Sequence, residues 1–346
     1  MEKKRVIILG AGAAKIYGGP SSADLLAKTI NIPEVKHIKR LFEKNNINPN
    51  FEDIIAVIEM EYMFLNNKFG KDALPLLFKF KKKVGLKYIH HSYLRILDII
   101  CSEIISGIEN PETSYDEDFV RYITSFEGQN KIYSLNYDRR PKDILSHCWK
   151  VYEGVDGKGQ FEYDLQKFIK SNISFWNLHG SVYLRGNNFS LGKIFLENAP
   201  RKILGYSKFD SDCRYFIPII TGHNKPRQIL SNPFLFGYDA LAVDLNTATR
   251  IDIIGYSFSD NHINASLKFL TKKNPMKAIN IIGFCSNPDK YDEREHNTEL
   301  EKEYYSWPFM NDYSSQLKLE RNGVYNDSEN NIKFWSKGFE SYLKSL

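Results

Sequence analysis

The junction between the first apolar run and a glycine-rich loop, Arg5–Pro20, constrains the fold of this chain more than any other feature. It reads RVIILGAGAAKIYGGP, a β-branched run that meets four glycines before a proline. Such a run is typical of a strand buried on both faces of a parallel sheet. Ser21 or Ser22 can then cap a helix with Asp24 in its first turn. The junction therefore predicts strand, loop and helix, with the helix N-terminus facing the loop.

Five later apolar runs behave in the same way, each ending in a cluster of polar residues or glycine. Helical patterns separate most of them, which favours an α/β fold with a doubly wound, Rossmann-like parallel sheet. In such sheets ligands bind at the carboxyl ends of the strands. The runs are KIYSLNYD (131–138), SNISFWNLHGS (171–181), YFIPIIT (215–221), RIDIIGYS (250–257) and KAINIIGFCS (277–286).

The domain organisation follows from where the helical pattern replaces the strand pattern. Residues 1–34 and 127–290 are predicted to form the Rossmann-type domain, and 35–126 a helical insertion or cap. Residues 291–346 are predicted to form a helical and loop extension. The insertion is inferred from apolar residues at helical spacing, namely Phe51, Ile54, Ile55, Ile58 and Tyr62, then Leu94, Leu97, Ile100, Ile104 and Ile105.

Composition narrows the class of protein without identifying a ligand. The chain has 346 residues, 42% hydrophobic and 26% charged, with a net charge of +5. That charge fits a polyanionic small molecule or a modest contact with nucleic acid and does not distinguish the two. We expect neither a membrane contact nor direct binding of nucleic acid. The start resembles no signal peptide and no apolar segment reaches about 18 residues, so a soluble, cytoplasmic protein is expected.

The cysteines argue against both a zinc site and a disulfide framework. The four cysteines are far apart in sequence, so no C-x-x-C pair exists and a reducing compartment is the simpler interpretation. No metal ligand is assigned. The four are Cys101, Cys148, Cys213 and Cys285.

The glycine loop is either a phosphate-binding site or simply a tight turn. Gly10 and Gly12 form G-x-G after a strand, but Lys15 occupies the position of the third glycine in the dinucleotide fingerprint. A tight turn alone could explain this pattern. Gly18-Gly19-Pro20 before the helix favours a loop whose backbone amides hold a pyrophosphate. The candidate cofactor-binding residues in the loop are Gly10, Ala11, Gly12, Ala13 and Gly19.

Polar side chains close two of the predicted strands. Asn136 and Asp138 are two residues apart in extended chain and therefore point to the same side. An Asx turn or a helix cap is the alternative. His179 ends an aromatic-rich strand and is either a structural histidine or a general base.

A third strand end, GYSFSDNH, adds Gly255, Tyr256 and Ser257 to the candidate ligand-binding edge. Asp260 follows within the same stretch, just before an amphipathic pattern. We interpret Asp260 as the cap of that helix rather than as a catalytic residue.

The order of these motifs resembles that of the sirtuin superfamily. GAGAAKIYGGP is similar to the family's G-A-G-I-S and G-I-P loop, LNYD to Q-N-I-D, NLHGS to E-L-H-G-S, and IIGYS to the G-T-S strand end. The resemblance covers residues 5 to about 285 and implies that NAD is the substrate. It further implies roles for individual residues: Gly10, Ala11 and Gly12 near the pyrophosphate, Asn136 near the nicotinamide ribose and a water, Asp138 on the carboxamide, His179 as general base, and Gly255 and Ser257 on the adenosine ribose.

Departures from the family pattern are equally informative. The stretch 182–204 contains no cysteine, so the zinc ribbon of deacylating sirtuins is not expected, and Ser21-Ser22-Ala23 replaces the family's D-F-R. Together with the helical insertion, this resembles the zinc-less bacterial sirtuin-like branch of anti-phage defence proteins. That branch implies an NAD⁺ glycohydrolase, either as a homo-oligomer or with a partner such as a HerA-type ATPase. A protein deacylase or ADP-ribosyltransferase, and a non-catalytic subunit that binds NAD or ADP-ribose, are the alternatives.

Overall fold

A computed structural model describes most of the chain. The described residues are 3–66, 86–111, 113–187, 194–196, 215–216, 219–221, 225–273, 277–285, 291–292, 297–298, 307, 318–321, 323–328 and 331–346.

Within these residues the predicted first strand forms β1, Lys4–Leu9, and is buried along its whole length. It lies inside an eight-stranded sheet of order β11-β12-β13-β8-β7-β1-β2-β3. The strands of the described chain are β1 (Lys4–Leu9), β2 (Gln129–Ser134), β3 (Ile173–Asn177), β4 (Leu184–Asn187), β5 (Ile194–Leu196), β6 (Tyr215–Phe216), β7 (Arg250–Ile254), β8 (Ala278–Ile282), β9 (Tyr291–Asp292), β10 (Asn297–Thr298), β11 (Lys318–Arg321), β12 (Val324–Asp327) and β13 (Ile332–Trp335).

Six neighbouring strands of this sheet, in the order β13-β8-β7-β1-β2-β3, run parallel to one another. Their carboxyl ends therefore meet at one edge of the sheet. Helices cover the sheet, and the predicted α/β class with a Rossmann-like parallel sheet is confirmed. The helices are α1 (Ala11–Ala14), α2 (Ser22–Thr29), α3 (Pro33–Lys44), α4 (Phe51–Asn66), α5 (Leu86–Glu109), α6 (Asp116–Thr124), α7 (Arg140–Ser146), α8 (Leu165–Lys170), α9 (Lys225–Ile229), α10 (Phe234–Thr247), α11 (Asn261–Lys273) and α12 (Gly338–Lys344). No described helix combines the length and the apolar character needed to cross a membrane.

The predicted helical insertion, 35–126, contains α3 to α6, of which α3 begins just before it at Pro33. Apolar faces of α2 to α5 share one hydrophobic core, and residues 67–85 of this region lie outside the described chain. Tyr137, Val182 and Ile219 from loops at the carboxyl edge of the sheet belong to the same core. The helices therefore pack directly on the loops that carry the polar strand ends. The predicted apolar residues buried there are Phe51, Ile54, Ile55, Ile58, Ile100, Ile104 and Ile105.

The described residues of the run YFIPIIT, 215–216 and 219–221, do not join the main sheet. Its described strand residues, Tyr215–Phe216, pair with β4 in a small antiparallel sheet of order β5-β4-β6. Ile219 forms an isolated antiparallel bridge with Gly180, the residue that follows His179. The proline in the run has no N–H to donate, which disfavours a place inside a central strand.

The prediction of a helical and loop extension over 291–346 is wrong for the strands β11 to β13. These strands complete the main sheet: β13 pairs parallel with β8, β12 antiparallel with β13, and β11 antiparallel with β12. Their buried residues Val324, Tyr325, Ile332 and Phe334 give the physical reason. Pairing here covers the edge of β8, which would otherwise expose unpaired backbone groups.

Candidate active site

A cavity of about 490 Å³ lies at the carboxyl edge of the parallel sheet, beneath the helices inserted between β1 and β2. Residues from the ends of β1, β2, β3, β7 and β8 line it, together with Phe51, Glu52 and Ile104 from α4 and α5. Eight of the ten residues predicted from the sequence to form the site line this cavity: Gly10, Ala11, Gly12, Asn136, Asp138, His179, Gly255 and Ser257.

The other two predicted residues serve the packing around the loop. Ala13 is buried in the hydrophobic core beneath the sheet. A Cβ atom at Gly19 would lie 2.9 Å from the Cβ of Ala14, so the glycine permits a close turn of the loop. Neither residue lines the cavity, and their predicted contact with a cofactor stays a prediction.

The glycines after β1 bring two strand ends into close contact. The amide of Gly10 donates to the carbonyl of Ile254 (2.8 Å), and the amide of Gly12 donates to the carbonyl of Gly255 (2.9 Å). A Cβ atom at Gly10 would lie 2.5 Å from that Gly255 oxygen. These two amides are therefore already used within the protein, although both residues line the cavity.

The N-terminus of α2 faces the same cavity. Ser21 caps the helix, since its hydroxyl accepts from the amide of Asp24 (3.3 Å) while the Asp24 carboxylate accepts from the Ser21 amide (2.8 Å). The next two residues, Ser22 and Ala23, line the cavity in the first turn. The first amides of a helix have no intrahelical acceptor and carry a partial positive charge, so this turn can bind an anion.

The loop after β2 points Asn136 and Asp138 into the cavity and Tyr137 into the core of the inserted helices. Leu135 and Tyr137 line the cavity as well, so the predicted side-chain alternation does not separate these four neighbours. The Asn136 amide group donates to the carbonyl of Gly10 (3.0 Å). Asn177 donates to the carbonyls of Asn136 (2.8 Å) and Asp138 (2.7 Å), which fixes the loop against β3.

Asp138 forms the turn contact that was the structural alternative, and it also lines the cavity. One carboxylate oxygen accepts from the amide of Arg140 (2.9 Å), the Asx-type turn weighed as an alternative. Burial raises the pKa of Asp138, and hydrogen bonds from backbone amides, that of Arg140 among them, oppose this shift. The side chain still lines the cavity and can accept a hydrogen bond from a ligand.

His179 is buried, with 4% of its surface exposed, and contacts a carboxylate that the sequence did not assign to it. Its Nε2 lies 2.9 Å from Oδ2 of Asp260, which also lies 2.6 Å from Nζ of Lys225. Neither Nε2 nor Oδ2 has a partner at a good hydrogen-bonding angle in this conformation. Lys225 also approaches Glu52, at 3.4 Å.

Burial lowers the pKa of His179, and the charge of Lys225 lowers it further, against the opposite effect of Asp260. Burial opposes ionisation of Asp260, but its contacts with His179 and Lys225 outweigh that effect and lower its pKa. At neutral pH the imidazole is therefore neutral and the carboxylate ionised. A neutral imidazole beside a cavity can accept a proton, which is the requirement for a general base.

Asp260 was predicted as a helix cap, and it is one. Its Oδ1 accepts from the amides of His262 (2.9 Å) and Ile263 (3.3 Å) at the start of α11. The contact of the same carboxylate with His179 was not predicted from the sequence. The available signal was its position three residues after Ser257, at a strand end that lines the cavity. Lys225 and Glu52 lie in segments without a motif.

Among the described residues, no group of three or more histidine, cysteine or acidic side chains is arranged to hold a metal ion. Much of the cysteine-free stretch 182–204 lies outside the described chain, at 188–193 and 197–204.

Comparison with known proteins finds no matching family model and no matching curated protein. Solved structures similar to this chain are Sir2 homologues. One is a Sir2 homolog–NAD complex, 14% identical over 84% of this chain and 79% of that chain, with a TM-score of 0.45. Another is a mutant Sir2 homologue with 2′-O-acetyl ADP ribose, 15% identical over 86% and 85%, with a TM-score of 0.45. A third is Sir2Tm bound to a propionylated peptide, 13% identical over 83% and 84%, with a TM-score of 0.42.

Proposed function

We propose that this protein is an NAD⁺ glycohydrolase of the sirtuin superfamily, which cleaves NAD to ADP-ribose and nicotinamide. One observation carries the proposal. The Gly10–Gly12 loop, Asn136, Asp138 and a neutral, buried His179 come from three separate strand ends and line one cavity. The order of the sirtuin-like motifs in the sequence supports the identity of the ligand.

The arrangement of the cavity suggests how the dinucleotide is held. The amides of Gly10 and Gly12 are occupied, so the first turn of α2 at Ser22 and Ala23 supplies the donors and the positive potential for the pyrophosphate. The glycine loop contributes a surface without side chains that a phosphate can approach. Gly255 and Ser257 hold the adenosine ribose, and Asp138 accepts a hydrogen bond from the nicotinamide carboxamide.

The chemistry requires a base but no acid. As the bond between C1′ and the pyridinium nitrogen breaks, its electron pair goes to that nitrogen and nicotinamide leaves as a neutral molecule. Water attacks C1′ of the ribose, which has oxocarbenium character, and its proton passes to His179, directly or through the ribose hydroxyls, and then to solvent. Asn136 positions the water. A positioned base contributes about 10²–10⁴-fold to such a rate.

The biological setting of this proposal rests on the sequence resemblance alone. Depletion of cellular NAD by an anti-phage effector would require that the enzyme be inactive until triggered. We therefore include in the proposal a homo-oligomer or a partner defence protein, such as a HerA-type ATPase, that controls activity.

The test is incubation of the purified chain with NAD, with nicotinamide and ADP-ribose measured by chromatography and particle size measured in parallel. The proposal requires equimolar release of both products without an acyl-lysine peptide. Release that depends on such a peptide and yields O-acetyl-ADP-ribose would instead identify a deacylase. Stoichiometric binding of NAD without turnover would identify a sensor subunit.

Phe284 provides a first prediction about substrate binding. This ring follows β8, lines the cavity, as Gly255 does, and is 75% exposed. A base stacked on an aromatic ring gains about 1–3 kcal/mol. Phe284→Ala is therefore expected to raise the KM for NAD about tenfold and to leave kcat unchanged.

Steady-state kinetics with two substrates checks this prediction. Nicotinamide mononucleotide lacks adenine, so its KM should be the same for Phe284→Ala and the wild type. Leu319→Ala is the matched control, because Leu319 is also apolar and 60% exposed but belongs to β11. An equal increase in KM for both substrates in Phe284→Ala would contradict the stacking role.

A further inference from the structure

We propose that Asp260 and Lys225 are positioning residues for His179: Asp260 orients the imidazole through Nε2, and Lys225 balances the charge of Asp260. This inference rests on the proposed function, in which His179 accepts the proton. It adds two residues that no sirtuin-like motif of the sequence contains.

The Asp260 carboxylate is held in one orientation. Its Oδ1 is fixed by two backbone amides at the start of α11, so Oδ2 is directed at His179 (2.9 Å) and Lys225 (2.6 Å). A carboxylate beside Nε2 favours the tautomer that carries its proton there, which leaves Nδ1 to accept a proton.

Lys225 compensates the negative charge of the Asp260 carboxylate beside His179. An unbalanced buried carboxylate next to a histidine favours the imidazolium, which cannot accept a proton. Nζ of Lys225 lies 2.6 Å from Oδ2 of Asp260, and the Lys225 side chain is 10% exposed. The pair keeps the orienting contact while His179 stays neutral at physiological pH.

The other titratable groups around His179 do not change this balance near neutral pH. Glu52 of α4 faces Lys225 at 3.4 Å and acts on His179 as a weaker negative charge than Asp260. Burial raises the pKa of Tyr137, Tyr238 and Tyr256, so these hydroxyls stay neutral. In the described part of the chain, the charge at His179 is thus set by Asp260, Lys225 and Glu52.

The experiment compares pH profiles of kcat/KM for the full-length wild type, Lys225→Met and Asp260→Asn. Removal of the lysine charge is expected to move the acid limb to higher pH by about one unit. Asp260→Asn is expected to move that limb to lower pH and to reduce the rate about 100-fold. Asparagine can still cap α11, so this variant should fold.

Two further variants separate positioning from general structural damage. Combining Asp260→Asn with His179→Ala should cost no more than His179→Ala alone, because Asp260 acts through His179. Lys225→Arg keeps the charge and should keep the wild-type limb. Lys333→Met serves as the charge control. It removes an exposed lysine of β13 that pairs with Glu320 of β11.

Several outcomes would overturn the inference. If the acid limb of the kcat/KM profile were unchanged in both Lys225→Met and Asp260→Asn, Asp260 and Lys225 would have a structural role only. The same conclusion would follow if the rate losses of Asp260→Asn and His179→Ala were additive in the double variant. A higher KM for Lys225→Met with an unchanged limb would make Lys225 a substrate contact. An NMR titration of His179 in the same variants measures its pKa directly, so the inference is decided even if the wild type releases no nicotinamide, which would contradict only the proposed function.

Discussion

Replacing His179 with alanine is expected to lower the rate of nicotinamide release about 10²–10⁴-fold. The imidazole is buried, lines the cavity and is neutral at neutral pH because burial and the charge of Lys225 lower its pKa. It is therefore able to take the proton of the attacking water. The measurement is single-turnover release of nicotinamide from NAD by the purified variant.

The wild-type pH dependence provides an internal check on that result. The pKa of His179 lies below the ordinary value near 6.5, so the base is unprotonated above that pH. The wild-type rate should be level from about pH 7 upward and fall as the pH drops through the lowered pKa, and the slow rate of His179→Ala should lack this limb.

His147→Ala is the matched control for His179→Ala. His147 is an exposed histidine at the end of α7, and its removal should leave the rate unchanged. NAD binding by His179→Ala, measured by calorimetry, should remain close to that of the wild type, since the proposed loss lies in catalysis. A wild-type rate in His179→Ala would remove His179 from the mechanism.

How much of this site the sequence predicts depends on how local each signal is. Asn136 and Asp138 were predicted from adjacent residues at one strand end, and both line the cavity, although Leu135 and Tyr137 line it too and the predicted alternation does not distinguish them. The helix cap was predicted at Ser21 or Ser22 for the same reason, and the structure shows Ser21, whose capping box spans only the four residues to Asp24.

The contacts that the sequence did not predict join distant segments. The pairing of Asp260 with His179 and Lys225 connects loops after β7 and β3 with the start of α9, and no spacing rule links them. Similarly, β11 to β13 are segments of only four residues each, whose place in the sheet depends on the open edge of β8. Only the folded sheet brings these partners together.

The glycines after β1 and β7 were predicted as ligand contacts, but the structure adds a packing requirement that the sequence does not reveal. Gly255 has φ near +60°, a region that favours glycine, and its backbone lies against Gly12 and Ala13. A Cβ atom at Gly255 would overlap the amide nitrogen of Ala13 and lie 2.7 Å from the Cα of Gly12. The same contact explains why Gly10 and Gly12 carry no side chain.

Gly255→Ala is therefore expected to lower the free energy of unfolding by about 3 kcal/mol. The left-handed conformation costs a non-glycine residue about 1–3 kcal/mol, and forcing a methyl group into a packed contact typically costs about 1–3 kcal/mol more. Out of a total stability of about 5–15 kcal/mol, such a loss is large. Urea denaturation followed by circular dichroism measures it, and a shift of the midpoint at constant slope would identify a change in stability.

The matched control for this substitution is Gly157→Ala. A Cβ atom at Gly157 would meet no heavy atom within 4 Å, so the change in unfolding free energy should stay within about 0.5 kcal/mol. If Gly255 served only to contact the adenosine ribose, Gly255→Ala would raise the KM for NAD while the urea midpoint stayed at the wild-type value. A lowered midpoint without substrate establishes the packing role, because no ligand is then present to account for it.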